Sequence, residues 1–495
     1  MHSPLPRSSV RWSGASSARV HAARGLMLGL LAVTPLLGCA TDEGEAAAAP
    51  RCGADAEPCC AGASPCAAGL GCSASVCIAA PFAAGNACAA DTECQSSVCS
   101  GALCAAPSCS DKVLNGDEGA LDCGGSCPDR CPLASPCLVA TDCARGTCLQ
   151  GATGSVCAFE PGGLLGAGGA SDAVAWTQVA GPSDGLKAPT DLAFSPEEGT
   201  PLWIVDRQRD AFLVIHDPGT EKVKKRTILD ISQHFLEEVL AISFDGHGSF
   251  GTCGDNRNGY GGAATPNDFM GPVQWPADLG HYPQGGSAHE QHWDMLHSTP
   301  LCVGIAGVGD DQFYCANGLI GSIDWYDFHE PHVPGGDDHA DGEKRRFHDP
   351  KFAIKRVKGV PANLAYDASS ELLYIADPGN GRVLRLDPKE ATHGPKMQSF
   401  PLDGQLFSMK GFSMTALISA DLVMPSGLEL HHGTLYVADR GNGQLHAYDL
   451  EGKHLRSLDT GLGANHLGGL AAGPDDRLYL VDIEGRRVLR VDTTW

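Results

Sequence analysis

From residue 173 onward the chain repeats one arrangement of apolar and polar positions. A small residue or proline opens a short strand ending in an apolar pair. A polar turn follows, then an apolar strand ending in Asp, a Gly-rich turn and a strand of alternating character. The clearest copies are PANLAYDASSELLYIADPGNGRVLRLD from Pro361, PSGLELHHGTLYVADRGNGQLHAYD from Pro425 and LGGLAAGPDDRLYLVDIEGRRVLRVD from Leu467, with PTDLAFSPEEGTPLWIVDRQRDAFLVIHD from Pro189 as a fourth. Short period-two strands joined by turns predict antiparallel meanders, and a repeat of roughly forty to sixty residues predicts the blades of a propeller.

Two degenerate copies complete a ring of six: VLAISFDGHGSFGTCGDNRNGY from Val239, with a long insert, and CVGIAGVGDDQFYCANGLIGSIDWYDFH from Cys302. The last copy stops at its third strand, RRVLRVDTTW, so AVAWTQVAG at residues 173–181 is expected to supply the fourth, joining the ends and removing two exposed sheet edges. Within the third blade Cys302 and Cys315 lie symmetrically about Val308-Gly309. That symmetry predicts a Cys302–Cys315 disulfide across a hairpin and leaves Cys253 unpaired.

These blades resemble NHL repeats, which pair a Leu-Tyr-x-x-Asp strand with a Gly-Asn-Gly-Arg type turn. Here LLYIAD with Gly379-Asn380-Gly381-Arg382, and TLYVAD with Gly441-Asn442-Gly443, carry that likeness. It implies an all-β, six-bladed β-propeller over residues 173–495.

The region before the propeller has a different composition. Of 22 cysteines, 18 fall between Cys52 and Cys157, too many for a chain lacking large apolar residues there to be anything but crosslinked. Cys66, Cys72, Cys77 share a C-x5-C-x4-C spacing with Cys88, Cys94, Cys99 and with Cys137, Cys143, Cys148. Residues 51–158 are thus read as disulfide-rich modules, a stalk or adhesion element, and with SCSDKVLNGDEGALDCGGSCPDRC they resemble small Cys-rich modules of myxobacterial surface proteins. Zinc is disfavoured by the spacing and by export. Asp117, Glu118 and Asp122 beside Asn115 read either as calcium ligands or as a solvated turn. Residues 39–50 and the Gly-rich stretch 159–172 read as linkers.

Residues 1–38 read as a signal peptide: a basic, Ser-rich stretch, then GLMLGLLAVTPLL, too short to span a bilayer. Leu36-Leu37-Gly38-Cys39 resembles a bacterial lipobox, which implies acylation of Cys39 and a membrane anchor, at the outer membrane or cell surface of a Gram-negative bacterium. The formal charge of −24 becomes more negative once Arg7, Arg11, Arg19 and Arg24 are removed, and such a field repels nucleic acid.

Candidate chemistry lies in histidine-rich loops. In a propeller the loops entering first strands and those joining second to third strands share one edge. His281, His289, His292 and His297 of HYPQGGSAHEQHWDMLHSTP are read there, with Arg207, Asp439, Arg440 and His466. HEPHVPGGDDHADG, residues 329–342, is read on the opposite edge, where His329, His332, Asp337, Asp338 and His339 have local ligand spacing. Such side chains suit zinc or copper, or calcium where carboxylates dominate; they equally suit hydrogen-bonded surface turns. The NHL likeness extends to peptidyl-hydroxyglycine amidating lyases, which hold zinc with three channel histidines beside an Arg and a Tyr. It would use His297 and His466 with Arg207 or Tyr260, although one clean blade alone begins with His. Related lactonases use Glu, Asn and Asp at the channel mouth, placing Glu237, Glu238 and Asn363 there without the surrounding motif. No Gly-x-Ser-x-Gly elbow or phosphate-cradling loop is present, which argues against serine hydrolases and nucleotide enzymes. Two readings stand: a surface-anchored lipoprotein whose propeller binds a protein or small-molecule ligand, with or without a metal, and a metal-dependent lyase or hydrolase.

Overall fold

The structure, a computed structural model, describes residues 70–73, 76–79, 81–151, 154–166, 174–231, 235–257, 270–330, 332, 334, 336, 338–399 and 403–493. Cys39, Tyr260 and Asp337 lie outside them. The chain divides after Ala80 into two compact units. Of the first, the hairpin Leu70–Ser73 with Val76–Ala79 is described, with Cys72 opposite Cys77.

Six sheets of at least four strands form the propeller. Blade 1 comprises Pro189–Phe194, Leu202–Asp206, Ala211–His216 and Lys224–Leu229. Blade 2 comprises Val239–Phe244, Ser249–Gly254, Val273–Pro276 and the two-residue strand Asp294–Met295. Blade 3 runs from Cys302 to Phe347, blade 4 from Leu364 to Ile418, and blade 5 from Pro425 to Asp459. Blade 6 combines Leu467–Ala472, Leu478–Asp482 and Arg487–Thr493 with Val174–Ala180, which pairs antiparallel with Arg487–Thr493 and closes the ring as expected.

Burial explains the strand compositions. Second strands such as LWIVD and LYLVD are sandwiched between neighbouring blades and are buried at every position. The fourth strand of blade 1, Lys224–Leu229, faces solvent and buries a single residue, Ile228. The recurrent Asp that ends the second strand is structural: Asp206 accepts N–H bonds from Lys187 and Ala188 at 2.6 and 3.0 Å, Asp377 from Lys355 at 2.9 Å, and Asp439 from Val423 and Met424 at 2.8 Å each. In blades 1, 4 and 5 a buried carboxylate thus satisfies backbone donors of the loop entering the blade.

Inner strands meet closely at the axis. A Cβ on Gly304 would lie 1.9 Å from the Ala362 carbonyl oxygen, so blades 3 and 4 approach to a distance that only glycine permits. Asp191 of blade 1 accepts a 2.8 Å bond from the Asn363 side chain at the start of blade 4, opposite in a ring of six, while its second oxygen accepts the Ile242 N–H at 3.0 Å. The axis is therefore bridged by side chains.

Two features were not anticipated. A hairpin, Thr392–Met397 with Asp403–Lys410, is inserted between the third and fourth strands of blade 4 and adds a parallel strand to the outer edge of blade 3, making a six-stranded sheet. The disulfide expectation also fails: Cys302 pairs with Cys253, and Cys315 is the free thiol. Bulges at Cys302/Ile305 and Gly307/Gly309 shift the hairpin register, so Cys315 lies opposite Ile305 and Cys302 opposite Asn317. Cys302 instead reaches the second strand of blade 2, with 5.2 Å between its Cα and that of Cys253.

The modules from Pro81 onward belong to the same compact unit as the propeller. Their repeat is a repeat of connectivity: Cys88–Cys99 with Cys94–Cys104, and Cys137–Cys148 with Cys143–Cys157, flank Cys109–Cys127 and Cys123–Cys131. Their small core is built of half-cystines with Ala120 and Phe82. In the stretch expected to be a linker, Leu164 and Leu165 are buried among Tyr436, Leu445 and Leu458 of blade 5, and Arg145 pairs with Asp476 at 3.2 Å. The disulfide-rich modules are thus docked onto the ring.

Candidate functional site

The connection leading to the fourth strand of blade 2 is stitched down at several points. Ala288 donates to Leu229 O on the outer strand of blade 1 at 2.8 Å, the buried Tyr282 hydroxyl bonds Pro276 O at 2.9 Å, and Trp293 N donates to Gln274 O at 2.8 Å. Because Asp294–Met295 pairs with Val273 and Gln274, residues 277–293 join third to fourth strand. They share an edge with residues 328–338, which make the same connection in blade 3. The expectation of opposite edges is therefore wrong; a strand of two residues, invisible to periodicity, reverses the assignment.

Two histidine segments consequently converge. The fourth strand of blade 3, His339–Phe347, overshoots its third-strand partner: Asp327 pairs with Glu343, and beyond that point the strand keeps a partner only on its other side, where His339 pairs with Asp403 of the inserted hairpin. His339 Nδ1 lies 2.7 Å from Asp294 Oδ1. Ring centroids are 5.0 Å apart for His292 and His332, 5.3 Å for His332 and His339, and 5.8 Å for His339 and His297. Donor atoms of Asp294, His332 and His339 all lie within 4.8 Å of one another. Asp294 is fully buried, His292 and His297 are nearly so, and His332 and His339 are half-buried, which leaves the cluster open on one side.

A second layer orients these side chains. His292 Nδ1 meets the His289 carbonyl at 3.0 Å, which fixes Nδ1 as the protonated nitrogen and leaves the Nε2 lone pair for another partner. Phe235 packs against the His292 ring at 4.0 Å. His297 Nδ1 is 3.7 Å from Asp403 Oδ1, and Asp403, on the inserted hairpin, forms a buried ion pair with Lys344, whose ammonium also bonds Ser399 at 2.6 Å. Burial pushes His292 down to about 3, with His332, His289 and His339 adding to the shift, so its imidazole is neutral at physiological pH. Burial raises the Asp294 carboxyl, against the bond from His339.

Other expected residues lie elsewhere. His289 sits 3.6 Å from Asp230, His329 is 3.8 Å from Asp327 and half-exposed, and exposed Asp338 accepts the Ala340 N–H. His466 bonds Asp482 at 2.7 Å, standing in for the loop N–H groups used by other blades, and Arg207 pairs with Glu238 at 2.5 Å. In the modules, Glu118 accepts the Asn115 N–H, Asp117 the Ser126 hydroxyl and Asp122 the Lys112 N–H, so each acid is engaged in its own loop. Asp294, Asp403 and Lys344 escaped the sequence reading. For Asp294 a signal existed: His292-x-Asp294 in an extended segment places both side chains on one face.

No protein-family model matches the chain, and no characterised protein matches it in sequence. Among solved structures it is similar to an auxiliary nutrient binding protein from Bacteroides thetaiotaomicron (14% identity, 62% of this chain and 69% of that one, TM-score 0.41). It is also similar to virginiamycin B lyase from Staphylococcus aureus (10% identity, 65% and 99%, TM-score 0.37) and to XC5397 from Xanthomonas campestris, a gluconolactonase (14%, 64% and 89%, TM-score 0.36).

Proposed function

We propose that this chain is an exported bacterial lipoprotein, acylated at Cys39 and held at the outer membrane or cell surface, whose propeller binds a protein or small-molecule ligand. The observation that carries the reading is where chemistry-bearing side chains stand. Asp191 and Asn363 bridge the axis, whereas His292, His332, His339 and Asp294 gather at the outer edge of blades 2 and 3. That arrangement favours presentation to a partner over turnover in a channel. The docked, disulfide-crosslinked modules suit a stalk that holds this edge away from a membrane.

Two measurements test it in cells. Labelled palmitate should be incorporated into the chain and lost in Cys39→Ser. A photo-crosslinking residue at exposed Glu330 should give a discrete adduct that the same residue at Asp449, in blade 5, does not give. Turnover of a lactone or a peptidyl-hydroxyglycine by the purified chain, abolished by His292→Ala, would replace this reading with the metal-dependent lyase or hydrolase.

A further inference from the structure

We infer that His292, His332, His339 and Asp294 form a single tetrahedral transition-metal site, of zinc type, that clips the outer strand of blade 2 to the overshooting strand of blade 3. The inference stands whether or not a partner docks at this edge.

Distance is the first support. Zinc–nitrogen bonds of about 2.0–2.1 Å at the tetrahedral angle place the centroids of two ligating imidazoles about 5.2 Å apart. The rings of His292 and His332, and of His332 and His339, are 5.0 and 5.3 Å apart. His297 is a further neighbour, not a ligand: its ring is 5.8 Å from that of His339 and its Nδ1 faces Asp403.

The donor set is the second. Asp294 Oδ2 has no hydrogen-bond partner although the residue is fully buried. A carboxylate oxygen is too costly to desolvate without compensation, and a cation beside it supplies that compensation. Three imidazoles and one carboxylate number four, which suits zinc, whereas calcium takes six to eight oxygen ligands. The His289 carbonyl, 3.0 Å from His292 Nδ1, supplies the outer hydrogen bond found behind metal-bound histidines. The ligands come from two blades, so a bound ion would tie His332 and His339 of blade 3 to His292 and Asp294 of blade 2.

The full mature chain, stripped with chelator and dialysed, is titrated with Zn2+ and separately with Co2+, whose d–d absorption is intense in tetrahedral sites. One equivalent should bind, with that absorption, and zinc should raise the thermal unfolding midpoint. His332→Ala and the near-isosteric Asp294→Asn should abolish binding and the midpoint shift while leaving circular dichroism unchanged. His329→Ala, in the same loop but outside the set, should keep both. Retention of one equivalent by His332→Ala and Asp294→Asn together, equal loss in His329→Ala, or binding of none by the folded parent chain would each overturn the assignment. A Glu330 crosslink that persists after chelation would leave the binding reading intact, and zinc binding without any crosslink would leave this one.

Discussion

Asp439→Ala removes a fully buried carboxylate that accepts backbone N–H bonds from Val423, Met424 and Gly441 at 2.8, 2.8 and 2.9 Å. Hydrogen bonds to a charged group contribute about 1.5–3 kcal/mol each, and a donor left without an acceptor adds its own desolvation penalty. Val423 is exposed, so water can recover its N–H; the net loss is about 3–5 kcal/mol. Asp439→Asn keeps one acceptor oxygen but turns an NH2 toward a donor, and should lose about half as much. Asp449→Ala is the control: it also accepts two backbone N–H bonds, from Glu451 and Lys453 at 3.1 and 2.8 Å, but in an exposed turn, where the loss should stay within about 1 kcal/mol. Denaturant unfolding of the mature chain, read by tryptophan fluorescence, measures all three. Trp203 and Trp275 are buried in blades 1 and 2, so a shift caused in blade 5 also reports that the ring unfolds together. Equal losses for the Asp439 and Asp449 alanine variants would refute the assignment of the strand-end aspartates as buried staples.

Other outcomes follow from the same geometry. Burial raises Asp191 to about 6, so the folded state holds that proton more tightly than the unfolded chain; its contribution is present below about pH 4 and lost as pH rises toward about 6. The fall is on the order of 3 kcal/mol, and a stability–pH profile of Asp191→Asn should lack it. Gly304→Ala sets a methyl group against the Ala362 carbonyl and should lower the unfolding midpoint by several degrees, whereas Gly433→Ala, in an open turn at φ +70°, should show only the smaller cost of its backbone conformation. Alkylation without reductant should leave native Cys315 unmodified and label it after denaturation, with Cys253 and Cys302 recovered as one crosslinked peptide; label on Cys253 would restore the pairing rejected above. Leu165→Ala should cost about 2–5 kcal/mol of docking and open the segment after Phe159 to limited proteolysis, and unchanged resistance would mean the modules are held by other contacts.

The ring was legible because its blades obey one rule: second strands buried on both faces read as LWIVD, LLYIAD and LYLVD, and turns need glycine. The closing strand was legible too, since a blade short of one strand requires a donor. What escaped obeys no period. Asp294–Met295 is too short to alternate, and placing it decides which edge His292 occupies. Bulges in the Cys302 hairpin shift pairing by several positions, so a symmetric cysteine spacing selected the wrong partner. The inserted hairpin brings Asp403 to His297 across 106 positions, a contact set by tertiary packing alone. Leu164 and Leu165 stand in a run of glycines that read as a tether, because two leucines give too little pattern to announce a docking face.

The strand Val174–Ala180 leads the propeller in the chain and is the last piece to find its place. Its partner, Arg487–Thr493, ends the described ring, and Thr177 bonds Asp492 across 315 positions. A chain made from its N-terminus must therefore carry this strand unmatched while five blades emerge, holding an open edge until the final residues arrive. Completion is a single late event: loss of a handful of residues from the tail would leave the first strand with nothing to hold.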